Sequence, residues 1–315
     1  MSPAEDGNAD RVDVLLQGRR SNHLGCLSQA SVNNFHAGVA QRAGNDFRAA
    51  IVAVETGFRD DDSDLPRHVR KYMSVKLTVV GCSPAWPNPG GAQSGYLLED
   101  EGRRLLLDCG PGVLARLRER WSWPKIDAIA ITHWHLDHWG DLVPWVWGQT
   151  LGPGQSTKRA QLWVPTGGRE TLGALGGRLG RPDMFEQAFE LEEYTELEPF
   201  DAAGFEVIAR PVLHYGLLAF GFRVSSNGTS VAYSGDSGPI DELSELARDV
   251  DLFVCEATLL RPNPEGGIRG HLAAEEANGY FLASGAKRLL LTHRPTERPL
   301  EDSFEQARDG LELEV

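Results

Sequence analysis

The chain has 315 residues, 41% of them apolar, and its 45 acidic and 31 basic side chains give a formal charge of −14. No apolar run is long enough for a membrane span, so the composition is that of a soluble globular protein with enough chain for a sizeable core. So acidic a chain is poorly suited to bind nucleic acid by neutralising phosphates with Lys and Arg. The four cysteines, Cys26, Cys82, Cys109 and Cys255, show neither CxxC nor framework spacing, and the first residues lack a continuous apolar leader. A reducing cytoplasm is the expected location.

Residues 1–72 are rich in Asn, Asp, Gly, Arg and Ser and show no sustained period of 2 or 3.6. They are expected to be a flexible or misassigned extension, the alternative being a small subdomain around "FRAAIVAVETGF"; His23, His36 and His68 within them are expected to be solvated. Folding is expected to begin near Met73, giving one domain over 73–315 with 22 basic and 35 acidic residues. From there the chain alternates apolar runs with polar turns: "KLTVVG", "GYLLE", "RRLLLDCG", "AIAITH", "QLWVP", "FEVIARPVL", "AFGFRVSS", "TSVAYSGDS", "LFVCEA" and "RLLLTH" read as strands. Helical patterns lie between them in "GVLARLRERW", "PIDELSELARD" and "AAEEANGYFLASG". Many strands with few helices suggest stacked sheets covered by helices on the outside.

The stretch "ITHWHLDHWG", Ile131 to Gly140, follows one of these strands and crowds three histidines and an aspartate into six positions. Such groups on one tight corner repel or stay unpaired unless a cation sits among them. The remaining histidines after Met73, His214, His271 and His293, also lie past strand-like runs or in a Gly-flanked loop, as does Asp236 in "AYSGDSG". On a tight turn His133 and His135 can face one metal position while Asp137 and His138 face a second. His214 then completes the first site and His293 the other, with the two oxygens of Asp236 suited to bridge. Histidines with bridging oxygens suit two zinc ions, and manganese or iron are also admissible. Between such ions a bridging water is deprotonated near neutral pH.

These motifs, "THWHLDHWGDL", "LHYGLLAFGFRV", "AYSGDSGP" and "LLLTH", resemble the metallo-β-lactamase superfamily over essentially Met73 to the end of the chain. The resemblance implies a four-layer αββα sandwich of α/β class and a hydrolase with the metal ligands His133, His135, Asp137, His138, His214, Asp236 and His293. It also implies that Asp108, in "LLLDCGPG", braces the ligand loop. An aspartate at the bridging position points to the phosphodiesterases, thioesterases and lactonases rather than to the β-lactamases themselves. "DLFVCEATLL" and "GHLAAEEA" are similar to signatures of the ribonuclease Z group, with Cys255 in place of a histidine, so Glu256 and His271 look like the pair that assists phosphodiester cleavage. Only 21 residues separate His214 from Asp236, too few for the substrate arm of the tRNA-processing members.

The short chain instead resembles the atypical bacterial cyclic-AMP phosphodiesterases. The expected enzyme hydrolyses a small phosphodiester such as a 3′,5′-cyclic nucleotide through a metal-bridging hydroxide, with Asp137, Glu256 and His271 as its catalytic residues; tRNA is a less suitable partner and a homodimer is possible. A ribonuclease Z-like endonuclease, a lactonase or thioesterase, and a noncatalytic metal protein are the alternatives. Trp134, Trp139, Trp145 and Trp147 could wall a pocket for a base, though packing of the loop onto the sheet fits them better. Ser83 and Ser94 in the Gly/Pro-rich loop after the first strand could meet a phosphate.

Overall fold

The computed structural model describes residues 75–262, 269–300 and 303–315; the extension expected over 1–72 lies outside them. A first sheet is built from β1 (Lys76–Gly81), β2 (Gly95–Asp100), β3 (Arg103–Leu107), β4 (Ala128–Ala130), β5 (Gln161–Pro165) and β6 (Glu190–Tyr194). A second contains β7 (Pro199–Ala202), β8 (Phe205–Pro211), β9 (Phe220–Ser226), β10 (Thr229–Tyr233), β11 (Leu252–Glu256) and β12 (Leu289–Thr292). A last short strand, β13 (Glu312–Glu314), returns to the edge of the first sheet beside β1.

Period-two alternation divides each strand between two cores. Leu77, Val79, Tyr96, Leu98, Leu105 and Leu107 of the first sheet face Phe205, Val207, Phe222, Val224, Val231 and Val254 of the second. The opposite face of the first sheet, with Val80, Leu97, Leu106 and Ile129, packs under α1 (Val113–Arg120), α3 (Leu142–Leu151), α4 (Gly168–Arg178) and α5 (Met184–Ala188). Ala232, Phe253, Cys255 and Leu291 pack under α6 (Glu242–Leu246) and α7 (Ala274–Ser284). The result is the αββα sandwich expected from the sequence. With both faces of each sheet covered, central strands read as near-continuous apolar runs rather than alternating ones.

Strands β3 to β6 run parallel, as do β10 to β12. The carboxyl ends of β4, β10, β11 and β12 therefore open into neighbouring loops, and these loops carry the histidines and carboxylates. One of them holds the four-residue helix α2 (Leu136–Trp139).

Candidate metal centre

The ligand loop is fixed by a buried carboxylate. Asp108 follows β3 in a left-handed conformation, φ 60°, and accepts hydrogen bonds from Thr132 N (2.8 Å), the Tyr233 hydroxyl (2.9 Å) and His138 Nδ1 (2.6 Å). The Thr132 hydroxyl lies 3.0 Å from both Asp108 oxygens and from His133 Nδ1. His214 Nδ1 donates to the Gly270 carbonyl at 2.7 Å, and His293 Nδ1 lies 2.9 Å from the Thr258 hydroxyl. In His133, His138, His214 and His293 the Nδ1 edge is taken by a partner in the protein, so the Nε2 edge is the one left to face the site.

These edges converge on two places. The ligating atoms of His133, His135, His214 and Asp236 lie within 4.8 Å of one another, and so do those of Asp137, His138, Asp236 and His293. His135 Nδ1 and His214 Nε2 are 2.7 Å apart, His293 Nε2 and Asp137 3.1 Å, and His138 Nε2 and Asp236 3.3 Å. His133 Nε2, His138 Nε2 and Asp236 Oδ1 are buried and have no hydrogen-bond partner. Three buried polar atoms without hydrogen-bond partners, spread over the two clusters, would be costly, and divalent ions would satisfy them. The donor set fits such ions.

Electrostatics point the same way. Burial pushes the proton affinities of His133, His135 and His214 down, towards the neutral form that binds a metal. Burial alone would raise the Asp137 and Asp236 carboxyls, but the surrounding imidazoles outweigh it and hold both well below the usual carboxylate range. At His138 burial is overcome by the charges of Asp236 and Asp108, which push its proton affinity up; a bound divalent ion would compete with a proton there.

Glu256, His271 and His293 form a third cluster with similar spacing. It is of another kind. Glu256 Oε1 accepts from Ser237 N (3.2 Å), Leu272 N (3.0 Å) and His271 Nδ1 (3.1 Å), and Oε2 from Thr258 N (2.9 Å) and the Thr258 hydroxyl (3.0 Å). With five donors on two oxygens it has no capacity left for a metal. It serves as an anchor: Thr258 links it to His293, and burial, which lowers the proton affinity of His271, is overcome by the Glu256 charge and hydrogen bond, raising it to about 9.

Beside these groups opens a cleft of about 460 Å³ whose walls include His135, Asp137, Asp236, His271 and His293 together with Trp86, Leu136, Tyr215 and Arg298. All of the ligand and catalytic candidates named from the sequence thus lie in one place. The tryptophans of the loop do not wall this cleft: Trp145 is buried under the helices, and Trp134, Trp139 and Trp147 pack against that core. Ser83 and Ser94 are fully buried and outside the cleft lining. Thr132, Thr258, Tyr233, Trp86 and Tyr215 were not singled out from the sequence. The one signal available was the position of Thr132 and Thr258, beside His133 and in the "CEAT" stretch.

The family model for the β-lactamase superfamily domain matches residues 103–294. The chain belongs to this superfamily. Protein Rv1339 of Mycobacterium tuberculosis is 35% identical over 240 residues, 75% of this chain and 86% of that protein. Ribonuclease Z of Mycobacterium marinum is 27% identical over 245 residues, 70% of this chain and 86% of the relative. The crystal structure of YhfI from Bacillus subtilis, a metallo-β-lactamase fold protein, superposes with a TM-score of 0.68 at 24% identity, over 77% of this chain and 100% of that one. The chain is a metallo-hydrolase of the metallo-β-lactamase fold, with His/Asp clusters suited to metal ions. No helix among the described residues is long and apolar enough to cross a membrane.

Proposed function

We propose that this metallo-hydrolase holds two divalent ions and hydrolyses a small phosphodiester such as a 3′,5′-cyclic nucleotide. The observation that carries the reading is the placement of the Glu256–His271 pair against two metal-type clusters that share Asp236. His133, His135 and His214 would hold one ion, Asp137, His138 and His293 the other, and Asp236 both. Zinc suits such a donor set, and manganese or iron would be accepted. When bound, the ions supply Lewis-acid activation of water and of the phosphoryl oxygens.

The chain's own groups do the rest. Asp137 would offer a ligand oxygen to one ion and a hydrogen-bond acceptor that orients the attacking water. Glu256 orients His271 through Nδ1, leaving Nε2–H free to protonate the departing ribose oxygen. Trp86 and Tyr215, 43% and 55% exposed on the walls of the cleft, offer faces on which a base could stack. The relative named ribonuclease Z favours phosphodiester chemistry, whereas the 21 residues between His214 and Asp236 and the charge of −14 disfavour RNA as the substrate. A lactonase or thioesterase would have no use for the Glu256–His271 pair.

The test exploits the leaving group. A ribose alkoxide needs a proton as it departs and a nitrophenolate does not, so His271→Ala should cut cyclic-nucleotide hydrolysis by about 10²- to 10⁴-fold while sparing much of the activity on bis(p-nitrophenyl) phosphate. Both metals should stay bound. Equal losses on the two substrates, or faster turnover of a lactone panel than of any phosphodiester, would overturn the reading.

A further inference from the structure

A second cavity of about 460 Å³ adjoins the metal cleft, and its walls carry four arginines, Arg116, Arg294, Arg298 and Arg308, against one acid, Asp309. The two cavities share Arg298 and two stretches of chain. The loop after β1 gives Ala85 and Trp86 to the metal cleft and Asn88 to Gly91 to the arginine cavity, while the segment after β12 gives His293 to the first and Arg294, Pro295, Thr296 and Pro299 to the second. Asn88 ties the two stretches together, donating to the Arg294 carbonyl at 2.9 Å and accepting from Thr296 N at 2.9 Å.

Such a concentration of positive charge in a chain of −14 calls for an account of each group. The Asp309 carboxylate is engaged by Cys82 N (3.2 Å) and Ala92 N (2.7 Å) and lies 3.8 Å from Arg116. Arg116 also donates to the Gly90 carbonyl. Arg294 is buried and spends its guanidinium on the carbonyls of Ala257, Leu259 and Arg298. These groups build the walls. Arg298 and Arg308 are exposed, and no side-chain acceptor or ion pair engages either among the described residues. Two guanidiniums with no acceptor among the described residues, on walls whose one acid among the described residues is already committed, offer charge-assisted donors to a phosphate.

We infer that the arginine cavity is a second anion subsite, which binds a further phosphate of the same substrate. Arg298 borders both cavities, so one molecule can place its scissile diester at the metals and a neighbouring phosphate between Arg298 and Arg308. Resting on the phosphodiesterase reading, this narrows the substrate class to phosphodiesters that carry another phosphate, such as a 5′-phosphorylated dinucleotide, over a bare cyclic mononucleotide.

Two measurements test it. The wild type should hydrolyse a 5′-phosphorylated dinucleotide with a kcat/KM about tenfold or more above that for the same dinucleotide lacking the 5′-phosphate, as charge-assisted hydrogen bonds allow. In Arg308→Glu that ratio should fall to near one, and Arg308→Lys should keep part of it. The second measurement is a calorimetric titration of a 5′-phosphorylated dinucleotide with a non-hydrolysable linkage onto the metal-loaded protein, which reads the subsite even where no diester is cleaved. Binding there should be weaker in Arg308→Glu than in wild type. A wild-type ratio near one, or equal affinities of wild type and Arg308→Glu in the titration, would overturn the subsite. Loss of turnover on every diester with the titration difference intact would retire the phosphodiesterase reading alone.

Discussion

Asp236 just past β10 and Glu256 at the end of the parallel neighbour β11 are both inaccessible, at 2% and 0% exposure, yet the protein treats their charges in opposite ways. Glu256 is satisfied from within, by three backbone amides, a hydroxyl and an imidazole. Asp236 keeps one oxygen without a hydrogen bond and faces His133 Nε2 and His138 Nε2, which also lack one. A buried carboxylate with all its lone pairs used is an internal strut. One left open among imidazoles anticipates a cation from outside. Burial alone does not separate the two; the hydrogen-bond inventory does.

The largest expected effect lies at the open carboxylate. Asp236→Ala should release close to two metal equivalents and reduce hydrolysis to background, while His214→Ala should release about one, because Asp236 belongs to both clusters and His214 to a single one. Elemental analysis of the purified variants decides it, and equal metal content in wild type and Asp236→Ala would break the distinction. At the internal strut the sign of the outcome reverses. Glu256→Ala leaves five donors without their acceptor and should cost about 3 kcal/mol of stability, read from urea unfolding, with the metal content of the folded protein unchanged. Metal loss in Glu256→Ala with unchanged stability would mean that it is a ligand after all.

The same contrast separates what could be read in the sequence from what could not. His133, His135, Asp137 and His138 announce themselves because four ligating groups in six positions have few other uses. Thr132, Thr258 and the Gly270 carbonyl, which turn the rings, are residue types found in any turn, and only the folded geometry singles them out. Arg308 likewise looks like any surface arginine until the cavity is seen. Among the elements, the strands covered on both faces were legible as apolar runs. The edge strand β6 was not, because Glu190, Glu192 and Glu193 blunt an open sheet edge with charge. Helix α3 hides behind Pro144, which is tolerated in its first turn, where no backbone N–H donor is needed. Helix α4 contains four glycines, and at Gly176 an added Cβ would come within 2.5 Å of the Arg181 carbonyl, so a residue that weakens the helix is demanded by packing.

A smaller effect is expected one step out from the metals. Asp108 accepts from His138 and the Thr132 backbone and so orients the ligand loop without facing the clusters. Asp108→Asn should keep the fold while weakening metal affinity about 10- to 100-fold, measured by chelator competition. An unchanged affinity would place the loop's order in its own backbone rather than in the brace.

The smallest expected effect is at the mouth of the cleft, where neither metals nor strut are touched. Tyr215 has a left-handed backbone, φ 48°, and its ring lies over Gly270, where an added Cβ would sit 2.3 Å from Cε2; it is thereby held beside His214 and His271 although half exposed. Trp86 stands on the walls of the same cleft. Stacking on an aromatic side chain contributes about 1–3 kcal/mol per base, and exposed faces should deliver the lower part of that range, so Trp86→Ala and Tyr215→Ala should each raise KM for a nucleotide substrate about fivefold. With kcat and metal content held, such a change is a loss of binding shared by ground and transition states. Tyr215→Phe should keep the wild-type KM, since the ring and not the hydroxyl makes the contact. A fall in kcat with loss of metal in Tyr215→Ala would show instead that the ring props His214, and would move Tyr215 from the substrate to the metal side of the site.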